Sequence, residues 1–147
     1  MIIREFTERD IDEITPLMKK LCELTGKEFD EERWRRSLEQ KMENDSETQV
    51  FVAFDKQTNQ VLGMAHSSVK KTENGFRFGY ISNLIVKEEQ RRSGIGEQLI
   101  RHIIDYFRRN HIHSIRLALK KNINSAANVL FTKLGFKEKL RVLELKI

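Results

Sequence analysis

Leu84-Ile85-Val86-Lys87-Glu88-Glu89-Gln90-Arg91-Arg92-Ser93-Gly94-Ile95-Gly96-Glu97-Gln98-Leu99-Ile100 decides the fold of this chain. The stretch reads as an apolar strand, a short charged turn, and a glycine pair opening a helix. Gly94 and Gly96 carry no side chain, so backbone N–H groups there can come close to a ligand. The first N–H groups of a helix have no partner inside it and sit at the positive end of its dipole. Together they form an anion site suited to a pyrophosphate. The hexapeptide alone is equally a plain turn between strand and helix. Its setting tips the balance toward a ligand, because an apolar strand precedes it and an amphipathic helix follows, with Ile95, Leu99, Ile100, Ile103, Ile104 and Phe107 in one stripe.

Working outward, 147 residues predict one domain, residues 1–147, with a substantial core. No run of about 18 apolar residues is present, so no membrane span is expected. Met1-Ile2-Ile3-Arg4-Glu5-Phe6 lacks the long apolar region of a secretion signal. A single cysteine, Cys22, excludes an internal disulfide, and a cytoplasmic location is the expectation. Cys22 falls in an amphipathic helical pattern, where a buried, small apolar role is expected. The 27 Lys and Arg residues against 22 Asp and Glu give a net charge of +5. That charge is dispersed, which makes most of it solvated surface while leaving a local excess for an anionic ligand.

In chain order, Ile2 to Phe6 reads as a first strand, and Thr7-Glu8-Arg9-Asp10 as a capping box. Ile11, Ile14, Leu17, Met18 and Leu21 recur at helical spacing, with Pro16 early in the helix and Gly26 breaking it. A second helix is predicted from Asp30 to Met42, with Trp34, Leu38 and Met42 on one side and Asn44-Asp45-Ser46 ending it. Val50 to Phe54 and Val61 to Ala65 are strands joined by a polar turn, the second extending toward Val69. Asn74-Gly75 marks a hairpin in which both residues readily take positive φ. Phe76 to Val86 is the longest strand; Leu84-Ile85-Val86 stops alternating, as a strand buried on both faces or carrying a bulge would. After the glycine helix, Ile112 to Leu119 is a strand. Asn124-Ser125 can cap a helix burying Ala127, Leu130 and Leu134, closed by Gly135. Phe136 to Ile147 is extended and apolar.

Arg91-Arg92-Ser93-Gly94-Ile95-Gly96 resembles the (Gln/Arg)-x-x-Gly-x-(Gly/Ala) signature of the GNAT superfamily of N-acetyltransferases. Leu130-Phe131-Thr132-Lys133-Leu134-Gly135-Phe136 is similar to that family's second hallmark, usually Leu-Tyr-x-x-Leu-Gly-Phe. Asn124 falls on the family's usual asparagine. The element order matches along almost the whole chain. The resemblance implies an α/β (α+β) fold, with a mixed, mostly antiparallel central sheet flanked by helices on both faces. It also implies transfer of an acetyl group from acetyl-CoA, as co-substrate, directly to a primary amine.

By the same resemblance, the backbone of Leu84, Ile85 and Val86 pairs with the pantetheine arm like an added strand. An amide at Leu84 or Ile85 polarises the thioester carbonyl as a one-donor oxyanion site. Arg91, Arg92, Ser93, Gly94, Ile95 and Gly96 wrap the pyrophosphate; Asn124 contacts the pantetheine, and Phe131 occupies the position beside the thiol. A lysine-like amine with a pKa of ~10.4 needs about 4–5 kcal/mol to be neutral at pH 7, so a proton acceptor or a water chain is required. Tyr80 stands where histone-type members place a glutamate, and can end such a relay or simply pack. Glu28, Glu31 and His66 are further candidates without a motif behind them.

Two departures from the family pattern matter. Phe131 replaces the tyrosine that protonates the leaving thiolate. The twelve residues after Gly135 leave room for one long closing strand rather than two. An apolar edge strand such as Arg141-Val142-Leu143-Glu144-Leu145 needs covering, which predicts a homodimer. His111 and His113 lie two apart with no third ligand suggested, so turn or surface roles are expected and no metal site. The acceptor is a small-molecule or peptide amine. The alternative is a non-catalytic acyl-CoA-binding domain, and a nucleic-acid module using Arg108, Arg109, His111, Arg116, Lys120 and Lys121 ranks last because no stacking motif accompanies it.

Overall fold

Val50-Phe51-Val52-Ala53-Phe54 is apolar at every position, and it becomes a strand buried on both faces. In the computed structural model, which describes residues 1–43, 47–91, 93–119 and 125–147, the elements run in chain order. They are β1 (Ile2–Glu5), α1 (Ile11–Thr25), α2 (Glu31–Glu43), β2 (Thr48–Asp55), β3 (Gln60–Lys71), β4 (Arg77–Val86), α3 (Ile95–Arg109), β5 (Ile115–Arg116) and α4 (Ser125–Lys133). The five strands form one sheet in the order β1-β2-β3-β4-β5. Neighbours are antiparallel except β4 and β5, which are parallel. The expected mixed, mostly antiparallel sheet with helices on both faces is what forms.

Each face has its own core. The α3 stripe meets Phe51, Leu62, Ala65 and Ile81 on one side, with Phe131 of α4 joining it. On the other side Ile14, Leu17, Trp34 and Leu38 of α1 and α2 pack on Val50, Val52, Val61, Met64 and Ile85. Cys22 is buried, as its place in the pattern predicted. The Trp34 indole N–H donates to the Thr15 hydroxyl at 3.2 Å, so the ring is buried without an orphaned donor. Met42 departs from the buried side it shares with Trp34 and Leu38 in the sequence pattern: it is exposed.

The Thr7–Asp10 box forms around a short 3₁₀ turn that feeds α1. The Asp10 carboxylate accepts the Thr7 N–H at 2.7 Å and binds Arg4 through two contacts at 2.6 and 3.0 Å. The Arg4 and Thr7 hydrogen bonds outweigh burial and hold the Asp10 carboxyl below its usual range. This fixes the start of α1 to β1 through a bidentate pair.

Three expectations need correction. Between β3 and β4 only Gly75, at φ +89, takes the left-handed region; Asn74 does not. Gly75 N–H donates to Thr72 C=O at 3.0 Å and Thr72 N–H to Phe76 C=O at 2.9 Å, so the loop is an ordinary turn followed by a left-handed glycine rather than a two-residue primed turn. The strand predicted over Ile112 to Leu119 shrinks to Ile115–Arg116, because β4 offers a partner only at Gly79 and Tyr80. The last predicted strand finds no partner among the described residues: residues 136–147 are irregular, and Leu140, Val142, Leu143, Leu145 and Ile147 are 79–114% exposed. An extended segment becomes a strand only where another offers its backbone groups. Asn44, Asp45 and Ser46 lie outside the described residues.

Candidate active site

The site begins where β4 loses its alternation. Asn83 adopts φ +53, and the register with β3 slips there: His66 pairs with Ser82, yet Met64 pairs with Ile85. One extra residue sits in β4, the bulge that Leu84-Ile85-Val86 left open as a possibility. Lys87 N–H donates to Leu62 C=O at 2.8 Å, and a Cβ built on Gly63 would lie 3.0 Å from the Ile85 carbonyl oxygen. Ile85 and Lys87 therefore turn their backbone groups toward β3. By alternation, those of Leu84 and Val86 face the opposite edge.

On that edge β5 pairs only with Gly79 and Tyr80. Gly79 N–H also donates to Ser114 C=O at 2.8 Å. Beyond Tyr80 the two strands part, and among the described residues no strand pairs with Leu84 to Val86 on this side. The Val86 carbonyl accepts from Arg91 Nε at 3.3 Å. An edge without a strand partner among the described residues is thus built into a sheet that is closed by β5 at its other end.

At the end of this edge lies the glycine turn. The Ser93 hydroxyl donates to the Gln90 carbonyl, closing a 3₁₀ turn over Glu88–Gln90. Gly94, at φ +82, is the N-cap of α3 and gives it no side-chain cap. Gln98 N–H donates to Gly94 C=O at 3.1 Å, so the amides of Ile95, Gly96 and Glu97 precede the helical ladder. A Cβ on Gly94 would meet nothing within 4 Å, and one on Gly96 only Val86 Cγ2 at 3.9 Å. The protein's own packing does not require glycine at 96. The space it keeps open lies before free amides at a helix start, which fits a pyrophosphate.

Glu97, in the first turn of α3, would oppose an anion. Its carboxylate is engaged by Lys133 Nζ at 2.8 Å and Arg101 Nε at 2.9 Å. Those hydrogen bonds, Lys133 first, hold it below the usual carboxylate range. The pair also ties α4 to α3.

The opposite sheet face carries the proton-handling candidates. His66 lies under Trp34, edge to face at 5.4 Å. Burial, then the nearby Lys41 ammonium, push its pKa down to about 3, so it is neutral at pH 7 and a weak base. Its Nδ1 has no partner among the described residues. Tyr80 stands beside this position, its ring capped by Lys70 Nζ at 4.2 Å. Glu31 binds Arg35 at 3.3 Å, and the same guanidinium binds Asp12 at 2.9 Å, so it serves as a strut between α1 and α2. Glu28 is exposed. The Asp30 carboxylate accepts Arg33 N–H at 3.1 Å and caps α2.

Of the residues singled out from sequence, Leu84 and Val86 fall on the β4 edge turned away from β3, Arg91 binds the Val86 carbonyl, and Ser93, Gly94 and Gly96 lie in the turn that opens α3. Ile85 directs its backbone to β3 instead. The Ile95 and Phe131 side chains are buried in the α3 core, Phe131 edge to face with Phe136 at 5.4 Å. Arg92 and Asn124 lie outside the described residues. His111 occupies the turn after α3 at φ +61. Sequence reading passed over Asn83, though asparagine is among the side chains most tolerant of positive φ, and it marks the break in alternation.

Comparison with known proteins agrees with this geometry. The sequence profile described as "Acetyltransferase (GNAT) family" matches residues 14–136. Residues of this chain are 37% identical over 65 positions to GCN5-related N-acetyltransferase 6, chloroplastic, of Arabidopsis thaliana, a match covering 44% of this chain and 22% of that protein. The chain thus spans about a fifth of that relative's length. Among solved structures, a probable acetyltransferase superposes with a TM-score of 0.84 at 23% identity, covering 100% of this chain and 98% of that one. A predicted acetyltransferase with acetyl-CoA from Clostridium acetobutylicum gives 0.76 at 22% identity, covering 99% and 95%. An aminoglycoside antibiotic 6'-N-acetyltransferase from Acinetobacter haemolyticus gives 0.79 at 19% identity, covering 100% and 98%. At these identities the structures speak for the fold, and the profile match over most of the chain speaks for the family: the chain belongs to the GNAT acetyltransferase family.

Proposed function

We propose that residues 1–147 act as a single N-acetyltransferase domain that moves an acetyl group from acetyl-CoA directly to a primary amine. The observation that carries this reading is the continuity of two features: the β4 edge at Leu84 and Val86, where no described strand pairs, leads into the bare cradle at Gly94 and Gly96. An extended pantetheine arm finds strand-like partners along the first, and its diphosphate finds free amides at the second. Arg91 adds a guanidinium at the junction. Acetyl-CoA supplies the activated acetyl group. The Leu84 amide is the donor turned toward that edge, and it serves as the oxyanion contact in place of Ile85, whose backbone faces β3.

The acceptor amine enters from the face bearing Tyr80, Ser82 and His66. With His66 held neutral at about 3, proton removal passes through water, with Tyr80 at the mouth of that path. Phe131 has no proton to give, so the thiolate leaves as such; its thiol pKa near 8.5, by analogy with cysteine, permits this. A cytoplasmic location is proposed from the single cysteine, which suits a reducing compartment; none of the described helices is long and apolar enough to cross a membrane. The exposed C-terminal segment supports a homodimer in which each tail packs on the other copy.

A non-catalytic acyl-CoA-binding domain is the second reading, favoured by Phe131 and by the weak basicity of His66. Both readings predict that acetyl-CoA raises the melting temperature. Free CoA released on incubation with a broad panel of primary amines separates them: turnover supports transfer, and stabilisation without turnover supports binding alone. No thermal shift at any acetyl-CoA concentration would remove both.

A further inference from the structure

Strands β3, β4 and β5 contain no Asp or Glu, yet they carry Lys70, Lys71, Arg77 and Arg116. Arg77 is paired with Glu47 at 2.7 Å. Arg116 is not paired with any described acid. Its guanidinium carbon lies 4.2 Å from the Phe78 ring centroid and 5.8 Å from that of Phe76. The two rings are themselves stacked, 6.3 Å apart at 18°. Its Nε is buried and has no hydrogen-bond partner among the described residues.

Stacking occupies the flat face of a guanidinium and leaves N–H groups at its edge. Nε is covered by the protein, so the terminal nitrogens are the donors a ligand would meet. Arg116 is register-paired with Tyr80, and its contact with Phe78 puts it on the Tyr80 side of the sheet. Lys70, over the Tyr80 ring, and Lys41, near His66, add positive charge to the same face. Phe76 is 47% exposed, so the shelf opens to solvent.

Resting on the proposed transfer at Leu84, we infer that Arg116 is a specificity-determining anchor for an anionic group on the acceptor, a carboxylate or a phosphate. The guanidinium lies at the level of Phe78, from which Ser82 is about 13 Å along a strand and Leu84 about 20 Å. The substrate class is therefore an amine carrying a negative group about 13–20 Å from its nitrogen. The Arg116 fork takes the anion through two parallel N–H donors, and Phe76 and Phe78 hold the fork in place.

The test compares ω-aminododecanoate and ω-aminododecyl phosphate with neutral ω-aminododecanamide as acceptors, in the intact chain. Wild type should favour the charged probes by about tenfold or more in kcat/KM, and whichever of the two is preferred assigns carboxylate or phosphate. Arg116→Ala and Arg116→Gln should remove that preference, mainly through KM, while leaving the amide's rate and the acetyl-CoA thermal shift unchanged. Arg116→Lys should restore part of it, keeping charge without the fork. Equal use of all three probes by wild type would overturn the anchor. So would an Arg116→Ala variant that loses oligomer mass by light scattering while its probe preference is intact, because Arg116 would then belong to a subunit contact. A retained acetyl-CoA shift in either case leaves the transfer site standing, and a lost shift in wild type indicts that site instead.

Discussion

The two halves of β4 share one chain and one neighbour, β3, but meet opposite surroundings on their other edge. At Gly79 and Tyr80 the strand is zipped to β5 and lies against α3 so closely that a Cβ on Gly79 would come within 2.7 Å of the Phe107 ring. At Leu84 and Val86, past the Asn83 bulge, no described strand pairs with the same strand on that edge, and it leads to a glycine cradle where a Cβ at Gly96 would meet only Val86 Cγ2 at 3.9 Å. Glycine is present in both halves for opposite reasons. At 79 it lets protein approach protein; at 96 it keeps protein away. Close packing holds the first half shut, and that rigidity keeps the second half open without collapse.

The largest test of this contrast removes the ring that closes the first half. Phe107 is fully buried, and Phe107→Ala should cost about 3–5 kcal/mol in urea unfolding. A loss under 1 kcal/mol would mean that the closed half does not depend on it. Next, Gly96→Leu should leave the melting temperature of the free protein nearly unchanged while abolishing its rise with acetyl-CoA. That rise corresponds to about 2.7 kcal/mol at 100 times the dissociation constant. A retained shift would show that the cradle is not where the diphosphate sits. Gly79→Ala should do the reverse, costing about 1–3 kcal/mol by overpacking Phe107 while acetyl-CoA still binds the surviving fold.

Smaller still is the contribution of His66. Its pKa is about 3 in the folded chain against 6.5 when unfolded, so between these values the unfolded chain holds the proton. Stability is then full above about pH 6.5 and falls on acidification, by at most about 1.4 kcal/mol per pH unit. His66→Phe should flatten that part of a melting-temperature profile measured from pH 7 to pH 4; an unchanged slope would place the acid sensitivity elsewhere. The mildest change is Phe131→Tyr, for which the acetylation rate should rise or stay level. A large fall would show that position 131 does not face the thiol.

Much of this was legible beforehand because it is local. Period-3.6 stripes in α1 and α3, apolar runs in β2, and a glycine pair after a strand report on neighbours within a turn or two. The bulge was half visible in the failed alternation of Leu84-Ile85-Val86, but which amide faces the open edge depends on the register with β3. The length of β5 and the lack of strand structure in the tail were illegible, since each depends on whether a distant segment offers its backbone groups. Arg116 looked like one more basic residue of a surface run.

By itself, the sequence determined the order of elements, the two core faces and the presence of a bare helix start, because side-chain periodicity and glycine chemistry act over a few residues. Only tertiary structure decided that Leu84 rather than Ile85 turns its amide to the open edge, that β5 lets go after Tyr80, and that Arg116 lies on a phenylalanine shelf. Those outcomes depend on pairing between strands, and pairing is a property of two segments at once.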